Sequence, residues 1–231
     1  MDFTGRHVVI TGASTGIGRA TADRIVALGG RVTLIARRAA LLEDACAQLG
    51  GQAKWAAADV GDKAQLIAAL DSAAAQNGPI DALFLNAGTG GAFAPVQDYA
   101  DDVFDTVLAV NLKSPFWAIA HVLPGMVERG RGSILITGSL ASERGMAGNV
   151  GYVASKHAVL GLARAVALEA APHGVRCNCI VPGFIETPML DALPPDALAT
   201  MAAATPQGRT GKASELAAVA AFLLSDEASH V

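Results

Sequence analysis

The sequence is poor in charged and aromatic residues and contains only three cysteines. Of its 231 residues, 16% are charged and 5% are aromatic, whereas 52% are hydrophobic. This composition excludes an intrinsically disordered protein, which is rich in charge and poor in apolar residues. The formal net charge is −4 and no basic stripe is visible, so no nucleic-acid partner is expected.

Metal, disulfide and membrane signals are also absent from the sequence. Cys46, Cys177 and Cys179 are too few and too irregular for a disulfide framework, and no second Cys/His pair offers a metal site. The first residues show no secretion signal, and no apolar run reaches the roughly 18 residues that span a bilayer. The sequence therefore predicts a cytoplasmic protein with no membrane partner and no metal.

Short apolar runs alternate with longer amphipathic segments along the chain. This alternation predicts βαβ units and a single-domain α/β fold over residues 1–231, with a doubly wound parallel sheet and helices on both faces. The predicted strands are His7–Thr11, Arg31–Ala36, Ala53–Ala58, Ile80–Asn86, Ser133–Thr137 and Val175–Val181. The predicted helices are Ile17–Leu28, Ala39–Leu49, Lys63–Gln76, Val103–Val127, Gly151–Ala171 and Ala213–Leu224.

One segment departs from this alternation. Residues 182–212 carry five prolines and show no strand pattern. A long irregular insert in a compact domain is usually a binding loop or lid. We therefore expect a substrate-binding loop there.

Three glycines follow the first predicted strand. Gly12, Gly16 and Gly18 allow a tight turn, let the backbone approach a pyrophosphate, and precede a helix whose N–H groups face the anion. Because the turn follows a strand and opens a helix, it indicates dinucleotide binding rather than a merely flexible turn. The other predicted contacts within this turn are Ser14, Thr15 and Ile17.

The end of the second predicted strand indicates which dinucleotide binds. NAD-binding folds place an acid there for the ribose 2′-hydroxyl, whereas this chain has Ala36 followed by Arg37 and Arg38. Arginine pairs well with a 2′-phosphate, and the Ser14 hydroxyl offers a further donor. We therefore predict NADP(H) as the preferred cofactor, with NAD(H) possible. The alternative is that both arginines are solvated charges at the start of a helix.

Two short motifs follow the third and fourth predicted strands. Asp59 is placed to accept from an adenine amino group with Val60 packed on the ring, although Asp59 is almost as well suited to cap the next helix. Asn86, Ala87 and Gly88 put small residues beside the topological switch point, where the cofactor of such a fold lies.

Tyr152 and Lys156 are four residues apart, so on a helix they share one face. A phenol has an ordinary pKa near 10, and a nearby ammonium lowers that pKa. Such a pair can exchange a proton with an alcohol or carbonyl oxygen. Ser139 follows the fifth predicted strand, so its hydroxyl can meet the pair at one crevice. Alone, the pair would indicate an ordinary helix surface.

In order and spacing, these motifs resemble the short-chain dehydrogenase/reductase family over Gly5–Ser229. The resemblance implies a Rossmann fold and an NAD(P)-dependent oxidoreductase that interconverts a secondary alcohol and a ketone by hydride transfer. The alternative is a non-catalytic dinucleotide-binding regulatory protein on the same fold. The motifs are TGASTGIG (Thr11–Gly18), DV (Asp59-Val60), NAG (Asn86–Gly88), VNLKSPF with Asn111, ITGS (Ile136–Ser139), YVASK (Tyr152–Lys156) and PG (Pro182-Gly183).

By this resemblance, Asn111, Ser139, Tyr152 and Lys156 match the catalytic tetrad of the family. Tyr152 would act as general acid/base, and Ser139 would orient the substrate oxygen. Lys156 would hold the nicotinamide ribose and lower the pKa of Tyr152. Asn111 would hold a water that continues a proton relay from Lys156.

The resemblance also assigns residues after the sixth predicted strand. Pro182, Gly183, Ile185 and Thr187 match the segment in which Ile185 and Thr187 would contact the carboxamide and phosphate end of the cofactor. We expect the pocket walls to be mostly small or apolar. Their predicted residues are Gly90, Gly91, Phe93, Met146, Phe184, Met189 and Leu190, with Glu143, Arg144, Asn149 and Glu186 as polar candidates for contacting the substrate.

Two positions depart from the family pattern. Thr15 stands where NADP-preferring members often carry a basic residue, although Arg37 lies where an NADP form expects it. After Ser225–Ser229 the family normally continues into a seventh strand, and the sequence stops at Val231. Either the chain is shortened or the protein lacks this strand, and in both cases we expect an open edge at the sixth strand. Because two long apolar helices match those that pair across a dimer axis in the family, we predict a homodimer or homotetramer.

Overall fold

A six-stranded parallel sheet forms the centre of the molecule, in a computed structural model that describes residues 1–190 and 193–231. The strand order is β3-β2-β1-β4-β5-β6, which confirms the predicted doubly wound sheet. The winding direction reverses between β1 and β4, so their carboxyl ends open a crevice where ligands bind in such sheets. The strands are β1 (His7–Thr11), β2 (Arg31–Ala36), β3 (Ala53–Ala57), β4 (Ala82–Leu85), β5 (Gly132–Thr137) and β6 (Val175–Ile180).

Helices cover both faces of this sheet. Three of them (α3, α5 and α6) pack on one face, and α1, α2 and α8 pack on the other. The helices are α1 (Gly16–Ala27), α2 (Ala39–Leu49), α3 (Lys63–Asn77), α4 (Asp101–Leu108), α5 (Ser114–Glu128), α6 (Val150–Ala170), α7 (Pro195–Ala204) and α8 (Ala213–Leu224).

The two apolar cores explain why the strands are apolar throughout. In β1, Val8 and Ile10 point into the core under α1 and α8, whereas Val9 points into the core under α3, α5 and α6. Successive side chains of a strand alternate between faces, so a strand covered on both faces needs apolar residues at every position. The continuous runs in the sequence are the result.

The predicted helix Val103–Val127 is interrupted in the structure. Between α4 and α5, residues Ala109–Lys113 form one π-helical turn. The combined helix Asp101–Glu128 has the length and composition of a membrane span, with a mean hydropathy of 1.2 in its most apolar window. Its side chains Ala118, Val122 and Met126 nevertheless lie in the core against the sheet, as expected for a core helix.

The insert at residues 182–212 contains more regular structure than predicted. Two short parallel strands, β7 (Ile185–Glu186) and β8 (Gly211–Lys212), join its two ends. Helix α7 lies between them and begins at Pro195, where proline is well tolerated because the first helical N–H has no partner within the helix. Residues 191 and 192 of the predicted loop lie outside the described residues.

Within the described ranges, β6 forms one edge of the sheet. The last residue, Val231, lies beside this strand, because the Asn178 side-chain amide donates to its carbonyl oxygen at 2.9 Å. Arg176 of β6 donates to the Leu223 and Ser225 carbonyl oxygens at 2.8 and 2.9 Å. The end of α8 is thus tied to the sheet edge.

Candidate active site

The glycine-rich turn forms a cradle that only glycine can line. Gly12 and Gly16 have φ angles of +66° and +59°, a region that side chains rarely adopt. A Cβ at Gly18 would lie 2.5 Å from the Gly12 carbonyl oxygen. Helix α1 has Thr15 as N-cap without a side-chain capping bond among the described residues. Its first amides therefore face the position expected for a pyrophosphate, and the turn fits a dinucleotide.

Asn86 links this turn to the fifth strand. Its side-chain nitrogen donates to the carbonyl oxygens of Thr11 and Gly12, both at 3.3 Å, and its side-chain oxygen accepts from the Thr137 hydroxyl at 3.2 Å. The Thr11 hydroxyl accepts from the backbone N–H groups of Asn86 and Ala87, both at 3.1 Å. Sequence reasoning did not single out Thr11 or Thr137 as a structural link, because a threonine at a strand end is common.

The two arginines after β2 differ in their contacts. Arg38, the N-cap residue of α2, donates to the hydroxyls of Ser14 and Thr15 at 3.2 and 3.4 Å. Arg37 is exposed. Ser14, Thr15 and Arg38 thus form one polar cluster at the end of β2, where a 2′-phosphate would lie in a dinucleotide fold.

Asp59 and Val60 lie beside the end of β2, because the Ala58 N–H donates to the Ala36 carbonyl oxygen at 2.9 Å. The N-cap of α3 is Asp62, which accepts from the N–H groups of Ala64 and Gln65. The capping alternative for Asp59 is therefore wrong. Asp59 instead accepts from the Gly61 N–H at 2.9 Å. The Val60 side chain is buried in the core.

Ser139 and Tyr152 meet at the carboxyl end of β5. Ser139 caps a short helical turn by accepting from the Ala141 N–H at 3.1 Å, and Tyr152 lies in the first turn of α6. Burial raises the pKa of Tyr152 above its ordinary value, and a hydrogen bond with Ser139 opposes this rise. The phenol is therefore protonated at neutral pH in this arrangement.

Lys156 lies one helical turn below Tyr152, with its ammonium 5.7 Å from the centroid of the Tyr152 ring. It is 4% exposed and donates to the Thr137 carbonyl oxygen at 2.7 Å. Burial lowers its pKa to about 8. The expected lowering of the Tyr152 pKa by Lys156 stays a prediction. A Cβ at Gly88 would lie 3.7 Å from the ammonium.

Asn111 lies in the π-helical turn and is 2% exposed. Its side-chain oxygen accepts from the Thr89 N–H at 2.8 Å, and its side-chain nitrogen donates to the Thr89 carbonyl oxygen at 2.9 Å. The same nitrogen donates to the Ser155 hydroxyl at 3.0 Å. Its amide therefore binds protein groups on both sides, and the predicted water contact of Asn111 stays a prediction.

The segment after β6 returns to the glycine-rich turn. Pro182 accepts from the Leu140 N–H at 3.1 Å, which fixes its position next to Ser139. The Thr187 methyl group lies 3.1 Å from the position of a Cβ at Gly16. Gly183, which lies between Pro182 and Thr187 in the chain, is exposed, and Ile185 is half-buried in β7. The structure thus brings Thr187 against the turn, and its contact with the cofactor stays a prediction.

The polar candidates of the pocket walls have different environments. Glu143 and Arg144 are exposed, and Glu186 accepts from the Thr210 hydroxyl at 2.8 Å. Asn149 is 2% exposed, and both ends of its amide bind protein groups. Its expected contact with substrate is therefore wrong. Of the apolar candidates, Phe93, Met146 and Met189 are exposed.

A doubly wound sheet with a glycine cradle at its switch point and a Tyr-Lys pair beside it defines a nucleotide-binding oxidoreductase. The family described as short chain dehydrogenase matches residues 6–197. The levodione reductase of Leifsonia aquatica is 39% identical over 245 residues, which cover 99% of this chain and 91% of that protein. The 3-oxoacyl-(acyl-carrier-protein) reductase FabG of Salmonella typhimurium is 36% identical over 231 residues, which cover 100% of this chain and 94% of that protein.

Solved structures agree with these relatives. A crystal structure of levodione reductase matches with a TM-score of 0.95 and 38% identity, covering 99% of this chain and 94% of that chain. The 3-ketoacyl-(acyl-carrier-protein) reductase of Brucella melitensis, complexed with NADH, matches with a TM-score of 0.93 and 30% identity, with the same coverage. The chain belongs to the short-chain dehydrogenase/reductase family. It is an NAD(P)-dependent oxidoreductase, and the non-catalytic alternative is not favoured.

Proposed function

We propose that this enzyme reduces a ketone to a secondary alcohol with NADP(H) as its preferred cofactor. The observation that carries the proposal is the pairing of Ser139 with a protonated Tyr152 above the buried Lys156. When bound, the nicotinamide supplies the hydride donor or acceptor. The raised pKa of Tyr152 keeps the phenol protonated, as a group that gives a proton to a carbonyl oxygen must be.

Each residue of the tetrad has a place in this scheme. The Ser139 hydroxyl orients the substrate oxygen, and Tyr152 donates the proton at its phenolic oxygen. Lys156, which donates to the Thr137 carbonyl oxygen, would hold the hydroxyls of the nicotinamide ribose. Asn111 would hold a water that continues a proton relay from Lys156.

The preference for NADP(H) rests on charge at the end of β2. Arg38 already contacts Ser14 and Thr15, Arg37 adds a second positive charge, and Ala36 replaces the acid that repels a 2′-phosphate. Asp59, proposed to contact the adenine, follows Ala58, whose N–H donates to the Ala36 carbonyl oxygen at the end of β2. The other proposed contacts are Gly12, Gly16, Ile17, Gly18, Val60, Asn86, Ala87, Gly88, Pro182, Gly183, Ile185 and Thr187.

The substrate class is a small ketone or secondary alcohol with an apolar body. Phe93, Met146 and Met189 are exposed on the predicted pocket walls, and apolar walls with few polar groups suit such molecules. The two relatives, a levodione reductase and a 3-oxoacyl reductase, are each named for reducing a carbonyl compound. The cytoplasm is the proposed compartment.

Replacing Tyr152 by Phe tests the proposed function directly. We expect turnover with NADPH and a panel of ketones to fall about a hundredfold to ten-thousandfold, because the proton donor is lost. NADPH binding, measured by calorimetric titration, should stay within about threefold. Equal turnover by the variant and the wild type would contradict the role of Tyr152.

The cofactor preference is tested with Arg37→Ala and Arg38→Ala. Because a charge-assisted hydrogen bond contributes about 1.5–3 kcal/mol, each loss should weaken NADPH binding about tenfold to a hundredfold and leave NADH binding nearly unchanged. Lys54→Ala removes an exposed cation of β3 and serves as the control for net charge. Tighter binding of NADH than NADPH by the wild type would contradict the proposal.

A further inference from the structure

Asn149 is a buried amide that bridges two parts of the candidate site. It is 2% exposed and is the N-cap residue of α6. Its side-chain oxygen accepts from the Tyr152 N–H at 3.4 Å, and its side-chain nitrogen donates to the Gly90 carbonyl oxygen at 3.0 Å. Capping requires only the oxygen. The bond to Gly90 is therefore an additional connection, from the helix that carries Tyr152 to the loop after β4.

The loop after β4 carries Gly90, Gly91 and Phe93 of the predicted pocket walls. Its other hydrogen bonds also join it to residues of the candidate site and of the segment before α6. Thr89 is held by Asn111. The Ala94 N–H donates to the Gly148 carbonyl oxygen at 2.8 Å. Gly90, which lies between them, has Asn149 as the partner of its carbonyl oxygen.

Tyr99 packs where the same two segments approach each other. Its hydroxyl would lie 2.5 Å from a Cβ at Gly91 and 2.8 Å from a Cβ at Gly151. The Ala92 N–H donates to this hydroxyl at 3.4 Å. Glycine at both positions lets the loop and the first turn of α6 approach Tyr99 closely. Because both segments pack against Tyr99, a displacement of one would displace the other.

We propose that Asn149 is a positioning residue that holds the Gly90 loop in register with Tyr152. The inference rests on the proposed function, since it concerns how that site is assembled. The substrate carbonyl oxygen must lie within hydrogen-bond distance of the Tyr152 hydroxyl while the rest of the substrate packs against the loop after β4. One amide that binds both segments keeps the proton donor and the pocket wall at a fixed separation, and small misplacements of such groups slow a reaction strongly.

The test separates the bond to Gly90 from the capping bond. Asn149→Asp and Asn149→Ser both keep a capping oxygen and lose the amide N–H that donates to the Gly90 carbonyl oxygen. We expect the KM for a ketone probe, ethyl acetoacetate or cyclohexanone, to rise about threefold to tenfold, as for one lost hydrogen bond. The Kd for NADPH should stay within about twofold, because the glycine-rich turn is untouched. Amide hydrogen exchange in residues 88–95 should become about tenfold faster.

Asn77 supplies the matched control. It is also a buried asparagine, whose amide donates to the Val32 carbonyl oxygen at 3.2 Å, but it lies at the opposite end of the sheet. Asn77→Asp and Asn77→Ser should lower stability and leave the KM and the exchange of residues 88–95 unchanged.

The two hypotheses fail in different ways. If the Asn149 variants behave like the Asn77 variants, or if exchange accelerates without a change in KM, the positioning role is overturned. If the wild type turns over no ketone with NADPH or NADH, the proposed function is overturned instead. The exchange comparison needs no substrate and would still decide whether Asn149 holds the loop.

Discussion

At the scale of single residues, the buried Lys156 lowers the free energy of unfolding of the protein. Its ammonium is almost fully buried, burial lowers its pKa to about 8, and the Thr137 carbonyl oxygen is its hydrogen-bond acceptor. A buried charge without a counter-charge is unfavourable in the folded state. Residues kept for activity commonly lower stability in this way.

Lys156→Met should therefore stabilise the free protein while it abolishes function. We expect the free energy of unfolding to rise by about 1–2 kcal/mol in urea denaturation, and turnover to fall at least about a hundredfold. Lys54→Met, at an exposed lysine, should change neither quantity. A less stable Lys156→Met variant would show that the lysine supports the fold.

The sequence points to Tyr152 and Lys156 because their spacing of four residues places them on one helix face and coincides with Ser139 and the glycine-rich turn. The role of Asn149 is harder to predict than that of Tyr152 or Lys156, because a polar residue before a helix predicts a loop, a cap or a substrate contact equally well. Its bond to Gly90 joins positions 59 residues apart, and no local pattern encodes such a pair. The same applies to the bond between Thr137 and Asn86.

At the scale of elements, the amino-terminal end of β1 contains a buried histidine. His7 is fully buried, with Nδ1 2.9 Å from the Gly78 carbonyl oxygen and Nε2 2.8 Å from the Thr33 hydroxyl. A carbonyl oxygen can only accept, so Nδ1 carries the proton and Nε2 accepts from Thr33 in the neutral ring. Burial lowers the pKa of His7.

A lowered pKa in the folded state means that the unfolded chain binds this proton more readily. The contribution of His7 to stability is therefore present above its unfolded pKa, near 6.5, and is lost as the pH falls toward the folded value. Between pH 7.5 and 5.5, the wild type should lose on the order of 1 kcal/mol more than His7→Gln, which cannot titrate. Urea denaturation at both pH values measures the difference, and equal losses would contradict this prediction.

The six strands of the sheet are predictable because each is a short run of apolar residues between turn signals. Helix α7 and strands β7 and β8 are not. Each of these strands has two residues, and their pairing joins Ile185 to Gly211 across the insert. The π-helical turn is also invisible in the sequence, because the apolar periodicity on its two sides is that of ordinary α-helix.

At the scale of the whole molecule, α5 and α6 present apolar surface to solvent. Phe116 of α5 is 53% exposed and Leu168 of α6 is 82% exposed. The exposed face of α6 also carries Ala154 and Gly161, small residues that let another helix approach closely. We infer that two chains pair through these helices.

Light scattering should therefore show at least a dimer. Leu168→Arg should shift the protein toward monomer, because a charge on each chain would be buried at the interface. Leu41→Arg, at an exposed leucine of α2 on the other side of the sheet, should leave the molecular mass unchanged. A wild-type monomer at working concentration would contradict the prediction.

The π-helical turn at Ala109–Lys113 determines where the chain tolerates the deletion of one residue. Such a turn closes i→i+5 bonds and so accommodates one residue more than an α-helical turn. Deleting one residue there would convert it to regular helix, and Val107 and Ala118 on either side would keep their buried faces. The same deletion within α5 would rotate its apolar face by about 100° away from the sheet. The fold would thus tolerate the loss of this residue, whereas Asn111 would lose its present place in the candidate site.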